Sequence, residues 1–384
     1  MISRIRFESF KLLRDVDVEL GKLNVIVGRN SVGKSTVLEG LHLLLQLATE
    51  EEGEDAHRAG RPGVIFSGLR APQRLVTRPD ATTFSLEVET DAEVAFKVQA
   101  FVSDDSGAET CRYLLHFRDG GEREELELPA NPNVNPRLFF GKPWSRKLGS
   151  VVWLKLRADA LAAAHYSERE LPRMDFTGEG LPSVLQYLQG QRDGTIEAIE
   201  ASLAKVVPGV RRVRTLPAKI TRYERIPVTI GGQESWHEQR REVTGTRFEV
   251  EFTGLGWIPA DQVSDGTLIA LGLVTLLHHR PPRLVLLDDI DAGLHPVAQK
   301  DVIDLVRAIL DDKPHVQVVA TSHSPFVLDA LNATEVFVAG AANDTATSIT
   351  RLNQHPGWQP RSGFMRPGEF WSVVGENWVA EHSR

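Results

Sequence analysis

An α/β fold with a mixed central sheet and two inserts is what this sequence predicts, on three observations. The apolar run Leu23–Val27 leads into a glycine-rich loop and then into an apolar-periodic stretch from Val37 to Leu47, the order strand, loop, helix. The run Arg283–Leu287 is apolar after its first residue and ends in two carboxylates, Asp288 and Asp289. The run Val316–Ala320 is apolar apart from Gln317 and ends in Thr321, Ser322 and His323. Short runs of this kind, without polar alternation, suit strands covered on both faces, as in the parallel part of an α/β sheet.

Composition frames the rest. The chain has 384 residues, 41% of them hydrophobic, enough for two or three lobes with a large core. Its single cysteine, Cys111, excludes an internal disulfide and a cysteine-rich metal site, and fits a cytoplasmic location. The opening Met1–Phe7 alternates like a strand and has no apolar h-region behind it, so no signal peptide is expected. No run is long and apolar enough for a membrane span, and no membrane association is expected. The net charge of −8 argues against a protein that coats nucleic acid with its whole surface.

The first motif is Gly28-Arg29-Asn30-Ser31-Val32-Gly33-Lys34-Ser35-Thr36, which reads G-x-x-x-x-G-K-S between strand and helix. Gly28 and Gly33 let successive N–H groups turn inward around phosphates at a helix N-terminus. Lys34 reaches the β- and γ-phosphates and Ser35 ligates Mg²⁺, so ATP with Mg²⁺ is the expected cofactor. From Thr83 to Leu128, segments such as Phe84–Glu89 and Val94–Val98 alternate with period two between Asp/Gly turns, which predicts an antiparallel sheet. Between Ser167 and Val207 the spacing of Leu181, Val184, Leu185, Leu188, and of Ile196, Ile199, Leu203, Val206, predicts helices. No heptad array runs for many turns, so no long coiled-coil arm is expected.

Basic residues cluster twice, at Arg137, Lys142, Arg146 and Lys147, and in the stretch 205–225 at Arg211, Arg212, Arg214, Lys219, Arg222 and Arg225. Such a run is a solvated face, a nucleic-acid contact or a docking face for an acidic protein. Next comes Gln262-Val263-Ser264-Asp265-Gly266-Thr267, a polar turn feeding an apolar helix, which on its own is also an ordinary helix cap by Ser264 or Asp265. The strand ending in Asp288 and Asp289 has the form of a Walker B element. There Asp288 holds Mg²⁺, directly or through water, and Asp289 stands where a carboxylate orients and deprotonates the attacking water. In the tail, Phe370, Trp371 and Trp378 read as a docked terminal helix.

Taken in order, the phosphate loop, Ser264-x-Gly266, Asp288-Asp289, Leu294-His295-Pro296 and Thr321-Ser322-His323 resemble the ATP-binding-cassette ATPases of the SMC, RecF and OLD type. The resemblance covers roughly residues 1 to 50 and 245 to 340. It implies that Ser264 and Gly266 belong to the signature that grips the γ-phosphate of ATP held by the other protomer. It also implies that the residues after Asp289 form the D-loop and that His323 is the switch histidine. The implied division is a first lobe with Walker A over 1–60, its antiparallel β subdomain over 61–150, and a helical insert over 151–215. A second lobe with signature, Walker B, D-loop and switch His covers 216–340, and a tail covers 341–384. The family usually has glutamate where this chain has Asp289, so hydrolysis is expected to be slow. Ile290 replaces the usual proline, and the Q-loop glutamine stays open between Gln73 and Gln99.

The implied function is an ATPase, homodimeric around ATP, that senses or scaffolds for a separate effector in prokaryotic defence or DNA maintenance. OLD-type proteins often carry a C-terminal TOPRIM nuclease. The tail leaves too little chain for one, so the effector is expected on another polypeptide. A RecF-like DNA-binding clamp and a transporter nucleotide-binding subunit are the alternatives.

Overall fold

Strand β1 (Ile2–Phe10) shows why the N-terminal region folds as it does: Ile2, Ile5, Phe7 and Phe10 are buried while Glu8 faces out. The computed structural model describes residues 1–48, 82–105, 108–128, 148–230, 233–342 and 346–379. The chain continues as β2 (Leu13–Glu19), β3 (Leu23–Val27), α1 (Lys34–Ala48), β4 (Thr83–Thr90), β5 (Val94–Asp105), β6 (Ala108–Asp119), β7 (Glu122–Leu128) and β8 (Val151–Leu154). Then come α2 (Ala158–Ala162), α3 (Leu181–Gln191), α4 (Thr195–Val206), β9 (Val210–Ile230), β10 (Gln233–Phe252), β11 (Gly256–Pro259) and α5 (Asp265–His279). It closes with β12 (Leu284–Leu287), α6 (Pro296–Asp312), β13 (Gln317–Ser322), α7 (Pro325–Leu328), β14 (Val336–Ala342), β15 (Ala346–Arg351) and α8 (Pro367–Val374).

Two compact units result, one of residues 1–153, 282–291 and 306–384, the other of 154–281 and 292–305. In the first, a mixed sheet runs β7-β6-β5-β4-β1-β2-β15-β14-β3-β13-β12-β8. Strand β3 is buried along its whole length and pairs in parallel with both β13 and β14. The expected antiparallel region is present as β4–β7, and it continues the same sheet because β4 pairs with β1, Phe7 opposite Leu86 and Ile5 opposite Val88. The core gathers Phe7, Phe10, Phe84 and Phe96 with Leu38, Leu41 and Leu44 of α1. Gly40 lets α1 sit down on β1, since a Cβ there would lie 2.9 Å from the Phe7 ring.

The second unit holds the helices read from periodicity, with Leu181, Val184, Leu185, Leu188, Ile196, Ile199 and Leu203 all buried. Its separate antiparallel sheet, β11-β10-β9, is built on a hairpin of two very long strands. The boundary expected at 215/216 falls inside β9, and Val151–Leu154, expected to open the helical insert, joins the first unit's sheet beside β12. The outer edge of β9 is blunted against strand addition. Thr246, opposite Pro217, turns its N–H and C=O away from β9 toward His165, so Pro217 occupies an outward position, and Pro227 has the same parity. Proline without an N–H is tolerated at such an edge and deprives an incoming strand of donors.

In the tail, Phe370 packs within α8, but the helix ends at Val374 before Gly375 with its positive φ of 64°. Trp378 therefore lies beyond the helix the sequence suggested, edge-on to His355 at 4.8 Å between ring centroids. Among the described residues, no helix is long and apolar enough to cross a membrane.

A largely enclosed histidine is expected to make this fold acid-sensitive. His42 of α1 lies against Trp153, ring centroids 5.4 Å apart, and burial lowers its imidazole from 6.5 to about 4. As pH falls, the unfolded chain takes up this proton near 6.5 and the folded chain only near 4. The stability involved is therefore fully present above the first value and lost toward the second. That window corresponds to about 3 kcal/mol. His42→Phe, which keeps an aromatic ring there, is expected to flatten the urea-unfolding midpoint between those two pH values. A pH dependence identical to wild type would contradict the assignment.

Candidate functional site

The phosphate loop is held by backbone approaches that leave no room for side chains. Gly28 has φ 150°, and a Cβ on it would come 2.4 Å from the Ala339 carbonyl oxygen of β14. Gly33 has φ 91° and faces Thr347 of β15, whose hydroxyl donates to the Val32 carbonyl at 2.6 Å. Ser31 takes the left-handed conformation, φ 65°, between them. Strained backbone of this kind clusters at ligand clamps, where surrounding contacts over-determine it.

Lys34 opens α1 and, although it follows a loop, is only 5% exposed. Its Nζ donates to the Gly28 and Arg29 carbonyls at 2.9 and 2.8 Å. Burial lowers its pKa, and the charges of Asp289, Asp288, Asp291 and Glu376 work against that shift. A buried ammonium bonded by neutral carbonyls is poised for an anion, since phosphate oxygens offer charge-assisted bonds in their place.

Ser35 Oγ donates to Asp288 Oδ1 at 2.8 Å, and Thr321 Oγ1 donates to the same oxygen at 2.7 Å. Thr321 Oγ1 also accepts from the Asp289 N–H at 2.8 Å, so one threonine fixes both carboxylate residues at the end of β12. Asp289 has φ 51°, a conformation unusual for a non-glycine residue. Its Oδ1 lies 3.7 Å from His323 Nε2, and the His323 N–H donates to Asp291 Oδ1. A cleft of about 250 Å³ is lined by Leu12, Asn30, Ser31, Gly33, Lys34, Ser35, Thr36, Asp289 and His323. Ser35 and Asp288 supply hard oxygen donors side by side, the set that Mg²⁺ takes when it keeps most of its waters.

The first unit thus brings together Asn30 through Thr36, Asp288, Asp289 and His323. Ser264 and Gly266 lie in the other unit, where Ser264 precedes α5 and is exposed. The Ser264 side chain makes no capping bond to the helix, its Oγ standing 2.9 Å from Thr267 Oγ1 instead. A Cβ on Gly266 would lie 3.1 Å from Ala298 Cβ and 3.8 Å from Leu294, so the turn packs against the Leu294–Ala298 segment. Sequence reasoning missed three contributors. Thr321 stands in the Thr321-Ser322-His323 motif, whose spacing assigns it no role. Leu12 comes from a β-turn and Thr347 from β15, which lies between β2 and β14 in the sheet, and neither has a motif of its own. Gln99 lies in β5, and Gln73 lies outside the described residues, as do the basic residues Arg137, Lys142, Arg146 and Lys147.

A family model described as "AAA domain, putative AbiEii toxin, Type IV TA system" matches residues 23–329. Among curated relatives, the Septu protein PtuA of Bacillus thuringiensis is 35% identical over 69 residues, 18% of this chain and 17% of that protein. The OLD nuclease of Thermus scotoductus is 42% identical over 45 residues, 12% of this chain and 8% of that protein. The matches thus span less than a fifth of either relative's length. Among solved structures, the SmcHead bound to the C-winged helix domain of ScpA has TM-score 0.55 at 15% identity, covering 93% of this chain and 99% of that one. An Smc head domain with an extended coiled coil, bound to the C-terminal domain of ScpA derived from Pyrococcus furiosus, also has TM-score 0.55. It is 13% identical, covering 94% of this chain and 98% of that one. The fold is accordingly that of an SMC head.

Proposed function

This chain belongs to the AAA-domain family of putative AbiEii toxins of type IV TA systems, as an ABC- and SMC-like P-loop ATPase of the OLD type. From that premise we propose that it binds ATP with Mg²⁺, hydrolyses it slowly, and dimerises around it to control a separate effector in defence or DNA maintenance. The observation that carries this reading is the convergence of Lys34, Ser35, Asp288, Asp289 and His323 on one cleft.

Mg²⁺, when bound, neutralises charge on the β- and γ-phosphates. Ser35 and Asp288 would hold it, trading their mutual hydrogen bond for the metal. Thr321 keeps the Asp288 carboxylate aimed through its own bond to Oδ1. Lys34 gives up loop carbonyls for phosphate oxygens. Asp289 orients water and accepts its proton, and His323 stands beside it to steady the γ-phosphate. Aspartate is one methylene shorter than glutamate, so the base stands farther from an attacking water and turnover is slow. Ser264 and Gly266 of one copy would meet the ATP of the other, presenting a helix N-terminus to the γ-phosphate.

The effector in this reading is another polypeptide, such as a TOPRIM-type nuclease. The acidic run Glu122–Glu127 lies on β7, at the end of the sheet, with its glutamates exposed. The run Glu50–Asp55 lies outside the described residues. The purified chain is expected to hydrolyse ATP only with a divalent ion, and to leave plasmid and single-stranded DNA uncut with Mg²⁺ or Mn²⁺. Phosphate release and gel electrophoresis read the two activities separately. No ATP turnover by the wild type, or cleavage that survives purification and disappears with an acidic substitution, would defeat the reading.

A further inference from the structure

The tail segment from α8 to Val379 touches the elements that carry both walls of the ATP cleft. Where α8 starts, the Gly368 and Glu369 N–H groups donate to Asp329 Oδ1 at 2.9 and 3.3 Å. Asp329 closes α7, the short helix that Ser324 caps directly after His323. A side chain on Gly368 would run into the Pro325 carbonyl, so this end of α8 sits tightly on the switch segment. Beyond α8, Gly375 turns the chain with φ 64°, and Trp378 and Val379 are buried. Between that turn and that anchor stands Glu376. Its side chain is 13% exposed, and its Oε2 lies 3.5 Å from Nε of Arg29, the second residue of the phosphate loop.

Loop and tail meet over β14. They rest on consecutive residues of that strand: a Cβ on Gly28 would meet the Ala339 carbonyl, and a Cβ on Gly340 would lie 2.7 Å from the Glu376 carbonyl oxygen. Glycine at 340 is what lets the tail bring a carboxylate this near the loop. The charge of Glu376 reaches past Arg29, since with Asp289, Asp288 and Asp291 it favours the charged form of Lys34 against burial. A carboxylate so enclosed is weakly screened by water and salt. The field that steadies the loop's cations therefore opposes a triphosphate, which brings negative charge of its own.

Two features make the contact releasable. Charge-assisted hydrogen bonds run about 2.7–2.9 Å, so at 3.5 Å Arg29 and Glu376 form a loose ion contact, and the Arg29 side chain is 76% exposed. Lys34 holds the Arg29 carbonyl at 2.8 Å, a bond it gives up when it turns to phosphate, which frees the backbone beneath the guanidinium. A triphosphate then offers that guanidinium several charged oxygens in place of one carboxylate. We propose that Glu376 is a regulatory counter-charge: it clasps the tail to the phosphate loop through Arg29, and ATP opens the clasp by competing for that arginine. Linkage runs both ways, so opening the clasp while leaving the loop's cations in place raises ATP affinity by the factor with which ATP opens it.

This inference rests on the ATP reading, and the wild-type ATP affinity tells the two failures apart. Calorimetry with ATP and Mg²⁺ on the full chain is paired with hydrogen exchange of Gly375–Val379, where the Gly375 and Val379 N–H groups are bonded to the Trp371 and Glu376 carbonyls. Glu376→Gln keeps the size and removes the charge, and it is expected to bind ATP about fivefold more tightly than wild type. A merely structural contact would leave the affinity unchanged or lower it. In the wild type, ATP should speed exchange of this segment, whereas in Glu376→Gln exchange should be fast beforehand and ATP should add little. Arg29→Gln, a change at an exposed side chain, should open the tail in the same way without the gain in affinity, because it lacks the cation that the triphosphate takes over. The proposal is overturned if Glu376→Gln binds ATP no more tightly than wild type, if tail exchange in the wild type is indifferent to ATP, or if Arg29→Gln gains as much affinity as Glu376→Gln. A wild type that does not bind ATP at all would overturn the ATP reading and this inference with it.

Discussion

Lys34→Ala is expected to weaken ATP binding by about two to three orders of magnitude, ~3–4 kcal/mol, when measured by calorimetry with Mg²⁺ present. The size follows from where the ammonium sits. It is buried, its Nζ donates to the Gly28 and Arg29 carbonyls, and four carboxylates oppose the effect of burial on its charge. Alanine leaves those carbonyls without their donor and removes the cation that phosphate would meet. Because Lys34 is packed in the loop, a loss of stability of about 1 kcal/mol should accompany the change. Lys34→Met, which keeps most of the side-chain volume, separates the two effects. It should lose less stability than the alanine variant because the packing is kept, while weakening ATP binding as much, and wild-type affinity in either variant would remove the phosphate-loop assignment.

Asp289→Asn is expected to lower ATP turnover about a hundredfold or more while leaving ATP affinity within a few-fold of wild type. Asparagine retains the shape and the backbone bond to Thr321 Oγ1 but cannot accept a proton from water. Asp288→Asn should behave differently. Asp288 is the shared acceptor of Ser35 and Thr321, so its loss should raise the Mg²⁺ concentration needed for half-maximal binding. Equal turnover by wild type and Asp289→Asn would show that the attacking water is oriented by another group.

The parts of the site that could be read from the sequence are those whose chemistry is local in the chain. The phosphate loop is contiguous, with its glycines at the positions where backbone conformation requires them. Asp288 and Asp289 follow a strand whose apolar run announces it. Thr347 and Leu12 could not be read, because each reaches the loop through sheet pairing from a distant segment, β15 lying beside β2 in the fold. The burial of Lys34 was hidden for a similar reason. Its environment is set by the loop's own carbonyls and by carboxylates from other strands and the tail. The antiparallel strands β4–β7 were legible from alternation, but their continuity with the central sheet depends on the β1–β4 register.

The hairpin shows the opposite difficulty. Over much of β9 and β10 both faces carry polar or charged residues, so no clean period of two marks them as strands. Tyr223 and Trp236 look isolated in the sequence, and only the pairing across the turn places them on one face.

Whether ATP joins two copies is tested most directly by light scattering of Asp289→Asn, with and without ATP and Mg²⁺. Ser264→Arg serves as the companion, since an arginine where the signature serine stands should block close approach of a second copy. The account predicts one chain mass without nucleotide and two with ATP for Asp289→Asn, and one chain mass in both conditions for Ser264→Arg. An Asp289→Asn protein that binds ATP by calorimetry yet keeps the mass of a single chain would contradict it.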